Sequence, residues 1–175
     1  LLTQSCIPYL RKSSCPQVLN TAPAPVPDGY WLEPHVVYST FKIGMGYQQL
    51  GWSEEFPEIQ FNTLWPEGTV ATLATYRMGG KEFLESECYT VATMANAAHH
   101  LLTSNVTCHF TKDITVLQSI GVEDFSPYLF SDQASVSKDF MVDIVTQPPS
   151  YETTSLVPEC LTGQNIIVLG EIPDL

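Results

Sequence analysis

From Tyr30 onward the pattern of apolar and polar positions reads mainly as strands. His35 to Ile43 is rich in β-branched and aromatic residues and is closed by Gly44 and Gly46, which predicts a strand. Glu58 to Trp65 alternates, so Ile59 and Phe61 should face one side and Gln60 and Asn62 the other. Thr69 to Met78 predicts another strand. Gly79-Gly80 then reads as a hairpin turn into a strand from Lys81 to Val91. Ala92 to Ser104 is the one helix-like segment, rich in Ala and Leu and free of Gly and Pro. Val106 to Phe110, Ile114 to Ile120, Phe140 to Val145 and Ile166 to Leu169 complete a set of seven or eight strands, with an irregular stretch and a turn at Ser126-Pro127 between them.

This pattern predicts a mainly β chain with one or two short helices. At this length the usual arrangements are an antiparallel β-barrel or a two-sheet β-sandwich. Residues 1–29 read as an extended proline-rich arm, because Pro16, Pro23, Pro25 and Pro27 forbid a regular helix. Residues 30–175 read as a single β-rich domain.

Charge narrows the partners. Seven basic against 19 acidic residues give a formal charge of −12. Such a surface lacks the Lys and Arg that neutralise phosphates, so nucleic acid is not an expected partner. No apolar run is long enough to insert in a membrane. The acids at Glu82, Glu85 and Glu87 read as a solvated face.

Five cysteines change the picture further: Cys6, Cys15, Cys88, Cys108 and Cys160. None sits at CxxC spacing, so a disulfide framework is expected before a zinc site. Asn105-Val106-Thr107 is a glycosylation sequon. Together they predict a secreted, disulfide-bonded glycoprotein. Cys15, Cys88, Cys108 and Cys160 are the candidate bridging residues, with their connectivity open. Cys6 is the candidate odd thiol, placed on the arm where it could lock a homo- or hetero-oligomer. Leu1-Leu2-Thr3 reads as a mature or truncated end and not as an intact signal peptide.

Candidate chemistry is sparse. His99-His100 are neighbours that point about 100° apart on a helix, which does not suit one metal ion. Cys108-His109 are adjacent and not arranged as a thiolate–imidazole pair. Gly44-Met45-Gly46 begins a GxGxxG pattern, but position 49 is Gln49. No catalytic residue, metal or cofactor is therefore expected. Aromatics crowd into residues 30–65, where they could line an apolar cavity or fill a core.

Cys15-Pro16, the proline-containing segment after it, Gly29-Tyr30-Trp31 and the late Cys160 resemble the secreted lipocalins, especially the invertebrate type. The resemblance implies an eight-stranded barrel whose floor is closed by Trp31 and a bridge between Cys88 and Cys160. It implies a non-enzymatic carrier of one small hydrophobic ligand, a lipid, pigment or amine. Trp31, Phe41, Phe61, Trp65, Val70 and Tyr76 are then the candidate lining residues. The alternative is a β-sandwich assembly module that acts through extracellular protein contacts.

Overall fold

The computed structural model describes residues 2–23, 25 and 36–130. The chain divides into two compact units. The first holds the described residues up to Trp65 and those from Ala98 to Lys112; the second holds Pro66–Ala97 and the described residues after Lys112.

The first unit is built on a βαβ crossover. Helix α1 (Leu2–Leu10) leads to strand β1 (Gln17–Thr21), helix α2 (Val36–Glu55) and strand β2 (Gln60–Trp65). β1 and β2 are parallel, in register from Gln17 opposite Gln60 to Thr21 opposite Leu64. A third parallel strand, Thr111–Lys112, pairs with the end of β2, so β2 is central. Parallel neighbours need a long crossover, and α2 supplies it. Ile7, Val18, Ile59 and Phe61 form the apolar core, with Leu10, Trp52 and Phe56 packed against it.

The four central residues of β2 are all buried, as expected for a parallel strand covered on both faces. Asn62 therefore does not face water. Its Oδ1 accepts from the Cys108 N–H at 2.7 Å, and the Thr63 N–H donates to the Cys108 carbonyl at 3.0 Å. The period-two pattern locates this strand and misassigns its polar face.

The second unit contains another parallel pair, β3 (Thr69–Val70) with β4 (Cys88–Tyr89), joined by helix α3 (Leu73–Glu87). The strand at Thr111–Lys112 is thus β5 in chain order. Thr72 and Thr75 form a reciprocal capping box that starts α3. Ala71, Leu84, Cys88 and Phe130 make the core of this unit, with Phe83 against them. Helix α4 (Ala92–Thr103) matches the helix expected at 92–104 and contributes residues to both units. Helix α5 (Asp113–Ser119) and a 3₁₀ turn at Ser126–Tyr128 follow.

These elements overturn the mainly β expectation, barrel and sandwich alike. The segment expected as a strand at 35–43 contains the start of α2, because its β-branched and aromatic residues sit on a helix held by tertiary contacts. The expected hairpin at Gly79-Gly80 is a kink inside α3. Gly80 does take a left-handed backbone, φ 71°, but there it bends a helix and does not join two strands. The segment expected as a strand at 114–120 lies almost wholly in α5, where the Asp113 carboxylate accepts from the Ile114 N–H. Within the arm expected at 1–29, residues 2–10 are helical and 17–21 form β1. The strands expected at 140–145 and 166–169 lie outside the described residues.

The disulfide expectation is also corrected. Cys6, Cys15, Cys88 and Cys108 are free thiols; Cys160 lies outside the described residues. Burial, reinforced by the Glu87 carboxylate, pushes the Cys88 thiol up, and burial does the same at Cys108.

Two measurements check this fold. Less thiolate at neutral pH and restricted access make Cys88 alkylate more slowly than the half-buried Cys6 in the native protein, and urea should equalise them. Equal native rates would contradict the packing of Cys88. Asp113 is 2 % exposed, and its Oδ1 accepts from both the Glu67 and Ile114 N–H groups at 2.8 Å. Asp113→Ala should cost about 1–3 kcal/mol, read as a lower thermal midpoint, with Asp113→Asn milder.

Candidate active site

The site begins with an inversion in α2. Its buried residues are Ser39, Lys42, Gly46 and Gln49, which recur at helical spacing along one face. Apolar side chains lie outward, with Val37, Phe41 and Tyr47 all exposed. A helix that turns polar and small residues inward needs specific partners for them.

Those partners lie on the sheet. Gln49 Oε1 accepts from the Thr63 hydroxyl of β2 at 2.9 Å. Lys42 is only 6 % exposed, and its Nζ donates to the Thr21 carbonyl at the carboxyl end of β1, 3.4 Å away. A buried lysine is rare unless its charge is put to use or paired. On the same strand end, Asn20 is buried and its Oδ1 accepts from the Thr21 N–H at 3.0 Å.

Tyr38 stands one helical turn before Lys42 and is 45 % exposed. The Lys42 ammonium lies 5.8 Å from the centre of the Tyr38 ring. A solvent-reachable phenol with a buried cation behind it, at the carboxyl end of a parallel strand, is an arrangement suited to proton transfer.

Sequence reasoning misses this pair. Tyr38 and Lys42 both fall in the strand expected at 35–43, where four residues span about 13 Å. In a helix the same spacing brings the side chains side by side, about 5–6 Å apart between Cβ atoms. The Tyr-x-x-x-Lys spacing is the available signal, and it has chemical meaning only on a helix.

The described members of the expected ligand-lining set fall on different elements of the two units. Phe41 is 72 % exposed on α2, Phe61 is fully buried in the core of the first unit, and Trp65 is half-buried at the end of β2. Val70 and Tyr76 belong to the second unit, Val70 half-buried on β3 and Tyr76 exposed on α3. Trp31 lies outside the described residues. Asn105 is exposed just after α4. Among the described residues no cluster of His, Cys, Asp or Glu could hold a metal ion, and no helix is long and apolar enough to cross a membrane.

No family profile matches the chain. It is 34 % identical over 164 residues to hydroxysteroid dehydrogenase-like protein 2 of Homo sapiens, a match that covers 91 % of this chain and 39 % of that protein. The same protein of Xenopus laevis is 35 % identical over 146 residues, 82 % of this chain and 35 % of its own length. The chain thus spans well under half the length of the curated relatives it matches. Among solved structures, a short chain dehydrogenase of Mycobacterium thermoresistibile is 31 % identical with a TM-score of 0.64, over 74 % of this chain and 47 % of that one. A protein of Xanthomonas campestris described as a candidate dehydrogenase is 34 % identical with a TM-score of 0.65, over 75 % of this chain and 49 % of that one.

These likenesses correct the functional expectations. The lipocalin resemblance rests on four short features, whereas the dehydrogenase likeness runs over most of the chain and agrees with its parallel sheets. Neither the carrier nor the β-sandwich assembly module survives, and the expectation of a non-enzyme is set aside because the structural neighbours are described as dehydrogenases. The chain is similar to part of dehydrogenases with an α/β fold.

Proposed function

We propose that this chain contributes the proton-handling part of an alcohol dehydrogenase site, acting on a secondary alcohol and its ketone. The observation that carries the reading is the buried Lys42 behind the exposed Tyr38, found in a chain similar to dehydrogenases. A hydroxysteroid, named in the curated relatives, is one alcohol of this class.

In the oxidising direction the substrate hydroxyl loses its proton to the Tyr38 oxygen while the hydride leaves its carbon for a separate acceptor. Charge on the phenol oxygen is favourable near the fixed Lys42 ammonium, and burial strengthens that interaction. The Thr21 carbonyl holds the ammonium in place. In the reducing direction Tyr38 returns the proton to the carbonyl oxygen. Ketone and alcohol therefore differ by one hydride at carbon and one proton at oxygen, and Tyr38 accounts for the proton.

A dinucleotide hydride acceptor needs a glycine-rich phosphate cradle. The ten glycines of this sequence form no Gly-x-Gly-x-x-Gly, and Tyr38 and Lys42 act on the proton alone.

The test is oxidation of a panel of secondary alcohols, hydroxysteroids included, with nicotinamide acceptors by the protein that carries this chain. Tyr38→Phe should lower kcat by about 10²–10⁴-fold, the usual worth of a positioned acid–base group, with the fold retained. Lys42→Met should also lower kcat. Wild-type rates in Tyr38→Phe would remove the basis of the reading.

A further inference from the structure

Among the described residues, Phe110 alone has a positive φ without being glycine, at 64°. A bulky aromatic residue in the left-handed region is an outlier, because its Cβ crowds the backbone there. Such strain persists only where the surroundings over-determine it. The surroundings are α2: a Cβ built at Gly46 would lie 2.4 Å from Phe110 Cε1, so the ring rests against bare helix backbone. Tyr47, next along the helix, meets the same ring edge-on, 6.1 Å between centres at 71°.

Gly46 lies one turn beyond Lys42 on the same buried face. Phe110 itself immediately precedes β5. The helix is thereby held against β1 through Lys42, against β2 through Gln49, and against the start of β5 through Gly46. The first two contacts are hydrogen bonds, whose distances vary over a few tenths of an ångström. The third is a steric stop, and close packing makes it the stiffest.

We infer that Phe110 is a positioning residue: its strained backbone seats the ring on Gly46 and fixes the axial placement of α2, so that Lys42 stays buried behind Tyr38. Its consequence for catalysis rests on the proton-transfer reading of that pair. Phe110 acts through the helix, by way of Gly46 and Tyr47.

The experiment measures the rate at which Lys42 is acetylated by acetic anhydride, read by peptide mass spectrometry, with exposed Lys12 and Lys81 as internal standards. Phe110→Leu opens a gap under Gly46, and Gly46→Ala forces the ring away. Each should speed Lys42 modification relative to the standards by about fivefold or more, through easier local opening. Combining the two substitutions lets the methyl added at position 46 fill the gap left by the shorter side chain at position 110, so the double variant should return towards the wild-type rate. Phe110→Tyr keeps the ring and should leave the rate unchanged. Circular dichroism excludes variants that have unfolded.

Unchanged Lys42 rates in both folded single variants would overturn the inference, as would additive effects in the double variant. In the alcohol assay, Phe110→Leu should lower kcat and displace the pH profile while changing KM little, whereas Phe110→Tyr should keep both at wild-type values. A profile that stays in place, with only a lower thermal midpoint, assigns Phe110 a structural role and rejects positioning. Activity that is indifferent to Tyr38→Phe rejects the dehydrogenase reading instead, and leaves the acetylation result standing by itself.

Discussion

The first unit depends on how α2 seats its inward face. That face buries a hydroxyl, an ammonium, a bare glycine and an amide, where most helices bury aliphatic side chains. The ammonium, the glycine and the amide each meet a particular partner at a particular height along the helix. Apolar contacts could slide past one another with little loss, because burial is non-directional. Hydrogen bonds to Thr21 and Thr63 and the stop at Phe110 cannot, so register is specified at the expense of hydrophobic burial.

The same polar logic runs through the centre of the sheet. Asn62 and Thr63 lie in the fully buried part of β2; Asn62 Oδ1 is satisfied by the Cys108 backbone and the Thr63 hydroxyl by Gln49. A buried polar group left unpaired costs about 1–3 kcal/mol, so the pairing of each fixes its neighbours. The stretch after α4 is drawn alongside β2 by these bonds before β5 begins. The proposed function rests on this placement. The carboxyl ends of parallel strands are where open α/β sheets bind their ligands, and Lys42 is pinned to one such end.

The second unit makes its parallel pair with a shorter crossover. Thr72 and Thr75 start α3, and Gly80 kinks it before Leu84 reaches the core. Gly68 sits against the Tyr89 ring, where a Cβ would lie 2.6 Å from Cε2, so a side chain there would disturb the pairing of β3 with β4. The acids on α3 stay on its solvated side, with Glu85 in an ion pair to Lys81 at 3.1 Å. Such a surface pair contributes little to stability.

Sequence alone determines part of this protein. The Ala- and Leu-rich stretch at 92–103 forms its helix because propensity and burial agree there. The run at 60–65 is a strand because its residues suit a pleated surface, whatever its neighbours. Tertiary structure decides the rest. Val36 to Ile43 and Asp113 to Ser119 carry β-forming residues that a local reading assigns to strands, and the contacts made across each unit hold them as helices. The Tyr38–Lys42 pair is illegible for the same reason. Tyr38 and Lys42 are four residues apart in either conformation, but only the helix brings the phenol and the ammonium into electrostatic reach. The contacts that hold this helix in place come from Thr21, Thr63 and Phe110, all distant along the chain, and no local pattern carries that information.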